Sequence, residues 1–320
     1  MVNSVNLHGR HRETTAALPP GDVLVVSGDF IDRHAPRKER KALARDFNAW
    51  LGELALEYEA RIVVLGNHDI AFKGMSADEI GQALDNATHY LQDSDTIVAP
   101  FGLRVWGSPW TSASRSHMFG EPDAAARASR WQTCPEDVDV IVTHMPPAGI
   151  LDLASNGRSG SDYECRVCGK VHPAWRRHWG DAALRERVLA SSARLHLFGH
   201  VHQYGAHSEV RDGTTFVNAA FDMIPHAAVI ELAYTARVQE TIDGFSLVAS
   251  QFAPWMHLEH ASSGLVVDVD YGQTDDGARV VLYRKRRARK RHWANQLTGA
   301  IDPPGLVVDR AAVGFCSDTE

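Results

Sequence analysis

Short runs of Val, Ile and Leu recur along the chain, and four of them stop at a residue with a metal-binding side chain. Val23-Leu24-Val25-Val26 leads into Gly28-Asp29-Phe30-Ile31-Asp32, and Arg61-Ile62-Val63-Val64-Leu65 into Gly66-Asn67-His68-Asp69. Val138-Asp139-Val140-Ile141-Val142 leads into Thr143-His144, and Arg194-Leu195-His196-Leu197-Phe198 into Gly199-His200-Val201-His202. Such runs read as buried strands. Between them the apolar spacing changes to three and four. Leu43, Phe47, Trp50, Leu51 and Leu54 mark a helix within 37–58, and Ile80, Ala83, Leu84 and Ala87 mark another over 76–91. Residues 181–189 also read as helical. Leu103-Arg104-Val105-Trp106 is a strand ending at Gly107-Ser108-Pro109-Trp110, and 215–217 and 228–232 close the series as strands.

The alternation of strands and helices predicts a layered α/β domain. Ligands in such sheets sit at the carboxyl ends of the strands. Oxygen and imidazole donors gathered at one edge are what a hard or borderline divalent metal needs. The pattern therefore points to a two-metal enzyme.

Composition narrows the class. The 320 residues are 44% hydrophobic and 23% charged, ordinary for a globular protein with a sizeable core. A net charge of −7 offers no general attraction to nucleic acid or anionic membrane. No apolar run reaches the ~18 residues of a spanning helix, and no signal-peptide core precedes Arg10 and Arg12. Four cysteines are too few for a secreted disulfide framework. The cytoplasm is the expected compartment, with no membrane partner.

In order, the chain carries Asn6-x-His8, Gly28-Asp29-x-x-Asp32, Gly66-Asn67-His68-Asp69, His144 and Gly199-His200-x-His202. This series resembles the calcineurin-like metallophosphoesterase superfamily. Phe47-Asn48-Ala49-Trp50-Leu51, Tyr90-Leu91-Gln92-Asp93-Ser94, Gly107-Ser108-Pro109-Trp110 and Thr143-His144-Met145-Pro146-Pro147 make it most similar to the branch of metallophosphoesterase-domain-containing proteins. The likeness covers roughly residues 5–234.

The resemblance implies a two-sheet β-sandwich flanked by helices, in α-β-β-α layers, over residues 1–234. A β-rich C-terminal extension would occupy 235–320. It also implies a dinuclear hydrolase of phosphoesters, diesters slightly ahead of monoesters, working through a hydroxide held between the metals. Mn2+ or Fe2+ suit the N/O donors best, and Zn2+ fits too. One ion would be held by Asn6, His8, Asp29 and His202. The other would share Asp29 and add Asn67, His144 and His200. Residues i and i+2 of an extended segment point the same way, which pairs Asn6 with His8 and His200 with His202. His68, oriented by Asp69, would contact the phosphoryl oxygens or protonate the leaving group. Asp32 would support the ligands from behind or cap the following helix. The substrate would be a nucleotide or another small phosphoester.

One position departs from the family, which places an aspartate where Asn6 stands. An amide oxygen can ligate but brings no negative charge, so the first site is expected to hold its metal less tightly. Asn6 keeps a second reading open: a degenerate, non-hydrolytic scaffold that binds nucleotides or a partner.

Two features lie outside this scheme. Cys165-x-x-Cys168, followed by His172 and His178, reads either as a structural zinc knuckle or as reduced, unliganded thiols in a loop. Past residue 234, the segments 264–270 and 278–283 read as a β-hairpin. Seven of the eight positions from Arg284 to Arg291 are basic. That run would meet nucleic acid or a phosphorylated partner, or else be a solvated strand end. His196 reads as a structural, hydrogen-bonded histidine.

Overall fold

The computed structural model describes residues 2–5, 7–15, 18–31, 34–98, 101–157, 159–220, 228–230 and 232, with the backbone of six strands between 241 and 315. Asn6, Asp32 and residues 285–291 of the basic run fall outside the described residues. The chain divides into two units, Met1–Val98 with Leu103–Leu232, and Ala99–Gly102 with Ala233–Glu320.

In the first unit, β1 (Val2–Val5), β2 (Val23–Ser27), β3 (Ala60–Val64) and β4 (His89–Tyr90) pair in parallel. A second sheet starts with β5 (Ser94–Val98), antiparallel to β6 (Leu103–Ser108), which runs parallel to β7 (Val140–Thr143). Two small ladders follow. In them β8 (Leu153–Ser155) pairs with β11 (Arg176–His178), enclosing the hairpin of β9 (Tyr163–Glu164) and β10 (Val171–His172). The second sheet resumes with β12 (Leu195–Phe198), β13 (His207–Arg211) and β14 (Thr214–Asn218), in the order β13-β14-β12-β7-β6-β5. β15 (Ala228–Ile230) returns antiparallel to β1 and closes the first sheet.

Period-two burial explains the layers. On β2, Leu24 and Val26 join a core with Phe47, Trp50, Leu51 and Leu54, while Val23 and Val25 are buried on the opposite face. On the second sheet, Trp106, Ile141 and Phe198 pack with Trp131, Leu184 and Val188, and Val105, Val142 and Leu197 are buried on the other side. A Cβ on Gly107 of β6 would meet Val64 on β3 at 2.8 Å, so the inner faces touch. The fold is mixed α/β, two multi-stranded sheets with helices outside.

The helical face read from 43 to 54 forms α1 (Arg40–Glu53), capped by a 3-10 turn over Leu54–Leu56. Its Phe47 stacks on Phe30, ring centroids 3.7 Å apart. The next helix is shorter than its spacing suggests. α2 covers Ala77–Ala83, started by a capping box between Ser76 and Glu79. Beyond it Asn86 turns to bond Asn48, its N–H to Oδ1 at 3.1 Å and its Nδ2 to the carbonyl at 3.0 Å. Those bonds and the pairing of β4 end the helix before Leu91. α3 (Ala124–Trp131) and α4 (Ala182–Leu189) start from the side chains of Asp123 and Asp181.

In the second unit the strands β16 (Thr241–Ile242), β17 (Phe245–Ala249), β18 (Met256–His260), β19 (Leu265–Val269), β20 (Val280–Arg284) and β21 (Gly314–Phe315) form one sheet in chain order. β19 and β20 are antiparallel, with Leu265 opposite Arg284 and Val269 opposite Val280.

Candidate metal centre

Parallel strands of both sheets end side by side, and the loops after β1, β2, β3, β7 and β12 carry His8, Asp29, Asn67 and His68, His144, and His200 and His202. Backbone bonds tie these loops together. His8 N–H donates to the Asp29 carbonyl at 2.6 Å, His144 N–H to Ser108 at 3.2 Å, and Gly199 N–H to the His144 carbonyl at 3.1 Å.

Asp69 is the hub of the first-sheet side. Its Oδ2 accepts from the N–H groups of Gly66 at 2.7 Å and Asp29 at 2.9 Å, and its Oδ1 from Ile31 at 3.0 Å. The Asp69 carboxylate holds three backbone amides that shape the loops under the site. Burial, reinforced by the charge of Asp29, pushes its pKa up to about 7.

The local backbone is unusual where the chemistry is. His8, Asp29 and His200 have φ of 43°, 54° and 67°, three of eight non-glycine residues in the left-handed region among those described. Such conformations cost roughly 1–3 kcal/mol each and cluster at functional sites. Gly66 permits the close packing. A Cβ there would lie against Asp29 Oδ1 and 2.7 Å from His144 Cε1.

Asp29, His144 and His200 bring one ligand atom each to within 4.8 Å of one another. Fully buried His144 faces the Ser27 carbonyl through Nδ1 at 2.8 Å. A carbonyl only accepts, so Nδ1 carries the hydrogen and Nε2 is left to the centre. Nε2 lies 3.1 Å from Asp29 Oδ2 and 3.0 Å from Asn67 Oδ1, both acceptors. A lone pair among oxygen acceptors is satisfied by a proton on Nε2 or by a cation shared among all three groups. Burial opposes charge on the His144 ring, yet the Asp29 carboxylate outweighs it and raises its basicity. Burial likewise opposes charge on Asp29, but His144 holds its pKa far below the usual carboxylate range.

The rings of His8 and His202 are close together, with centroids 4.5 Å apart. His8 Nε2 is buried without a hydrogen-bond partner. Burial, with further help from His202 and His68, lowers the His8 pKa to about 4, and burial lowers that of His200 to about 3. Both rings are neutral near pH 7, as ligation requires. His68 is partly exposed at the mouth. Its backbone N–H donates to Asp29 Oδ1 at 2.8 Å and its Nε2 lies 4.0 Å from Asp29 Oδ2.

Two neighbours went unseen in the sequence. The Trp179 ring lies 5.8 Å from that of His200, and the His117 ring 6.0 Å from that of His68. His117 lies in the long loop after β6, and Trp179 follows β11, a three-residue strand with no apolar pattern to mark it. His196 sits outside the site, fully buried on β12, with its Nε2 2.8 Å from Thr143 Oγ1. Cys165, Cys168, His172 and His178 form a separate group with ligand atoms within 4.8 Å of one another.

Residues 7–204 match the family model described as Calcineurin-like phosphoesterase. The chain is 32% identical over 228 residues to Metallophosphoesterase domain-containing protein 1 of Homo sapiens, and equally to that of Mus musculus, over 63% of this chain and 60% of each relative. It is 29% identical over 231 residues to a UPF0046 protein of Caenorhabditis elegans, over 63% of this chain and 50% of that protein. The matches thus span 50 to 60% of the length of these relatives. Among the described residues, no helix is long and apolar enough to cross a membrane.

Proposed function

This chain belongs to the calcineurin-like phosphoesterase family, and from that premise we propose that it hydrolyses phosphoesters with a pair of divalent metal ions at the Asp29 cluster. The observation that carries the reading is the His144 nitrogen, which has its tautomer set by Ser27 and is aimed between the Asp29 carboxylate and the Asn67 amide oxygen. The donor set fits such ions. A buried carboxylate at a strand end is costly without a cation beside it, and His8 Nε2 is buried with no other partner.

In this assignment Asn67, His144 and His200 would hold one ion, and His8 and His202, with Asn6 as the resemblance implies, the other, Asp29 serving both. Ions held there would supply polarisation of a phosphoryl oxygen and acidification of a water. The chain's own residues do the rest. Ser27 fixes the face that His144 presents, and Asp69 locks the loops of Asp29 and Gly66 so that the carboxylate does not swing. His68, at the exposed mouth beside Asp29, contacts a phosphoryl oxygen or gives a proton to the leaving oxygen. Mn2+, Fe2+ and Zn2+ all suit these donors, and phosphodiesters are the first substrates to try.

Hydrolysis of bis-p-nitrophenyl phosphate and p-nitrophenyl phosphate by the full chain, with Mn2+ or with EDTA, tests this. Turnover should need the metal and vanish in Asp29→Asn. A wild-type chain that turns over neither ester under any of these metals, yet binds nucleotide, would move the assignment to a non-hydrolytic scaffold.

A further inference from the structure

We propose that Cys165, Cys168, His172 and His178 form a structural zinc site, separate from the Asp29 centre, that braces the segment carrying Trp179. The four side chains come from the paired ladders β8–β11 and β9–β10 and offer two sulfurs and two imidazoles. Tetrahedral zinc, with Zn–S of about 2.3 Å and Zn–N of about 2.0–2.1 Å, needs donors roughly 3.3–3.8 Å apart. The four ligand atoms all lie within 4.8 Å of one another, and Cys168 Sγ is 3.0 Å from His172 Nε2. Small adjustments of side chains close the tetrahedron.

The backbone around the cysteines is shaped for the task. The turn from Cys165 to Cys168 is closed by Cys165 N–H to the Lys170 carbonyl and Gly169 N–H to the Cys165 carbonyl, both 2.8 Å. Gly169 takes φ of 69°, where a side chain would be strained. Val167 N–H points at Cys165 Sγ from 3.4 Å, a donor that supports charge on sulfur.

His178 supplies the independent observation. Its Nδ1 lies 2.5 Å from Oδ1 of the buried Asp152, which also accepts from Gly180 N–H at 2.9 Å. A carboxylate accepts, so Nδ1 carries the hydrogen and Nε2 is the free face. That Nε2 is buried and has no hydrogen-bond partner, beside the two sulfurs. A carboxylate behind the outer nitrogen of a histidine is the usual support of a zinc ligand.

Among the described residues the segment has little apolar packing of its own. Its ladders are two or three residues long, and Val167, Val171 and Trp175 are exposed. Ladders this short are marginal in water on their own. A bound ion would replace the missing core. Next after His178 comes Trp179, which donates its N–H to the Asp152 carbonyl at 3.0 Å and sets its ring against His200. The zinc would thereby steady one wall of the Asp29 centre without touching substrate. A cavity of about 450 Å³ lined by Cys168, His172, His178 and Arg185 gives ions and chelators a way in.

Metal analysis and cobalt spectroscopy on the full chain test the site. The purified protein should carry about one equivalent of zinc that persists in His144→Ala. Protein reloaded with Co2+ should show thiolate-to-cobalt charge transfer, which the Asp29 centre, having no sulfur, cannot produce. The double change Cys165→Ser with Cys168→Ser should abolish that absorption and the retained zinc. Asp152→Asn should keep the spectrum and weaken zinc affinity about 10–100-fold. A cobalt-loaded wild-type chain without thiolate absorption would overturn the proposal, and needs no variant to fold. So would zinc content unchanged in the double serine variant.

Discussion

The Asp29 cluster draws its side chains from His8 to His202, at the ends of five strands in two sheets, whereas the Cys165 cluster draws its four from the single stretch 165–178. The first is held before any ion arrives. Its loops are tied by backbone bonds and by three amides on Asp69, over cores containing Phe47, Trp50, Trp106 and Trp131. The second rests on short exposed ladders, so its geometry depends on what the four donors share. A distributed site takes its rigidity from the fold; a local one in a poorly packed segment must take it from the ligand. Removing metal should leave the first in place and loosen the second.

The largest effect that would break this comparison is on turnover. Replacing His144 by Ala removes a donor worth several kcal/mol of transition-state stabilisation. kcat/KM should fall about 10³-fold while the thiolate–cobalt spectrum stays unchanged; loss of both together would mean the clusters are not independent. Next is Asp69→Ala, which strands three buried N–H donors. Urea denaturation should show a loss of at least about 3 kcal/mol, and a change under about 1 kcal/mol would show that Asp69 is not the hub. Smaller again is the weakened zinc binding of Asp152→Asn, about 10–100-fold, read by competition with a chelator dye.

A last effect, confined to acid pH, concerns His196 on β12, four residues before His200. Burial pushes its pKa down to about 3, against 6.5 for the ordinary side chain. Below pH ~6.5 the unfolded chain binds a proton that the folded chain refuses. Its contribution is therefore intact above that pH and is lost as pH falls toward about 3, by up to ~1.4 kcal/mol per pH unit. His196→Gln should flatten the fall in stability between pH 6.5 and 4, measured in urea. Equal slopes in variant and wild type would show that His196 takes up its proton without unfolding.

Particular residues show where sequence reasoning reaches and where it stops. The spacing of Phe47, Trp50, Leu51 and Leu54 specifies a buried helical face, because one side of a helix repeats every three or four residues. The same reasoning overran Ala83, since bonds from Asn86 to Asn48, far away in sequence, stop the helix. Glycine before Asp29, Asn67 and His200 marks turns at strand ends. Nothing local tells that Asp69 accepts from the amides of Asp29, Ile31 and Gly66, or that Trp179 meets His200.

The order of strands, the helical face of 43–54 and the donors at strand ends are determined by the sequence, because period and residue type are local properties. Which nitrogen His144 presents, where Asp69 spends its oxygens, and whether two cysteines and two histidines converge are decided only by the tertiary structure. Those answers depend on groups such as the Ser27 carbonyl and Asp152, which chain folding brings within 3 Å from 117 and 26 positions away.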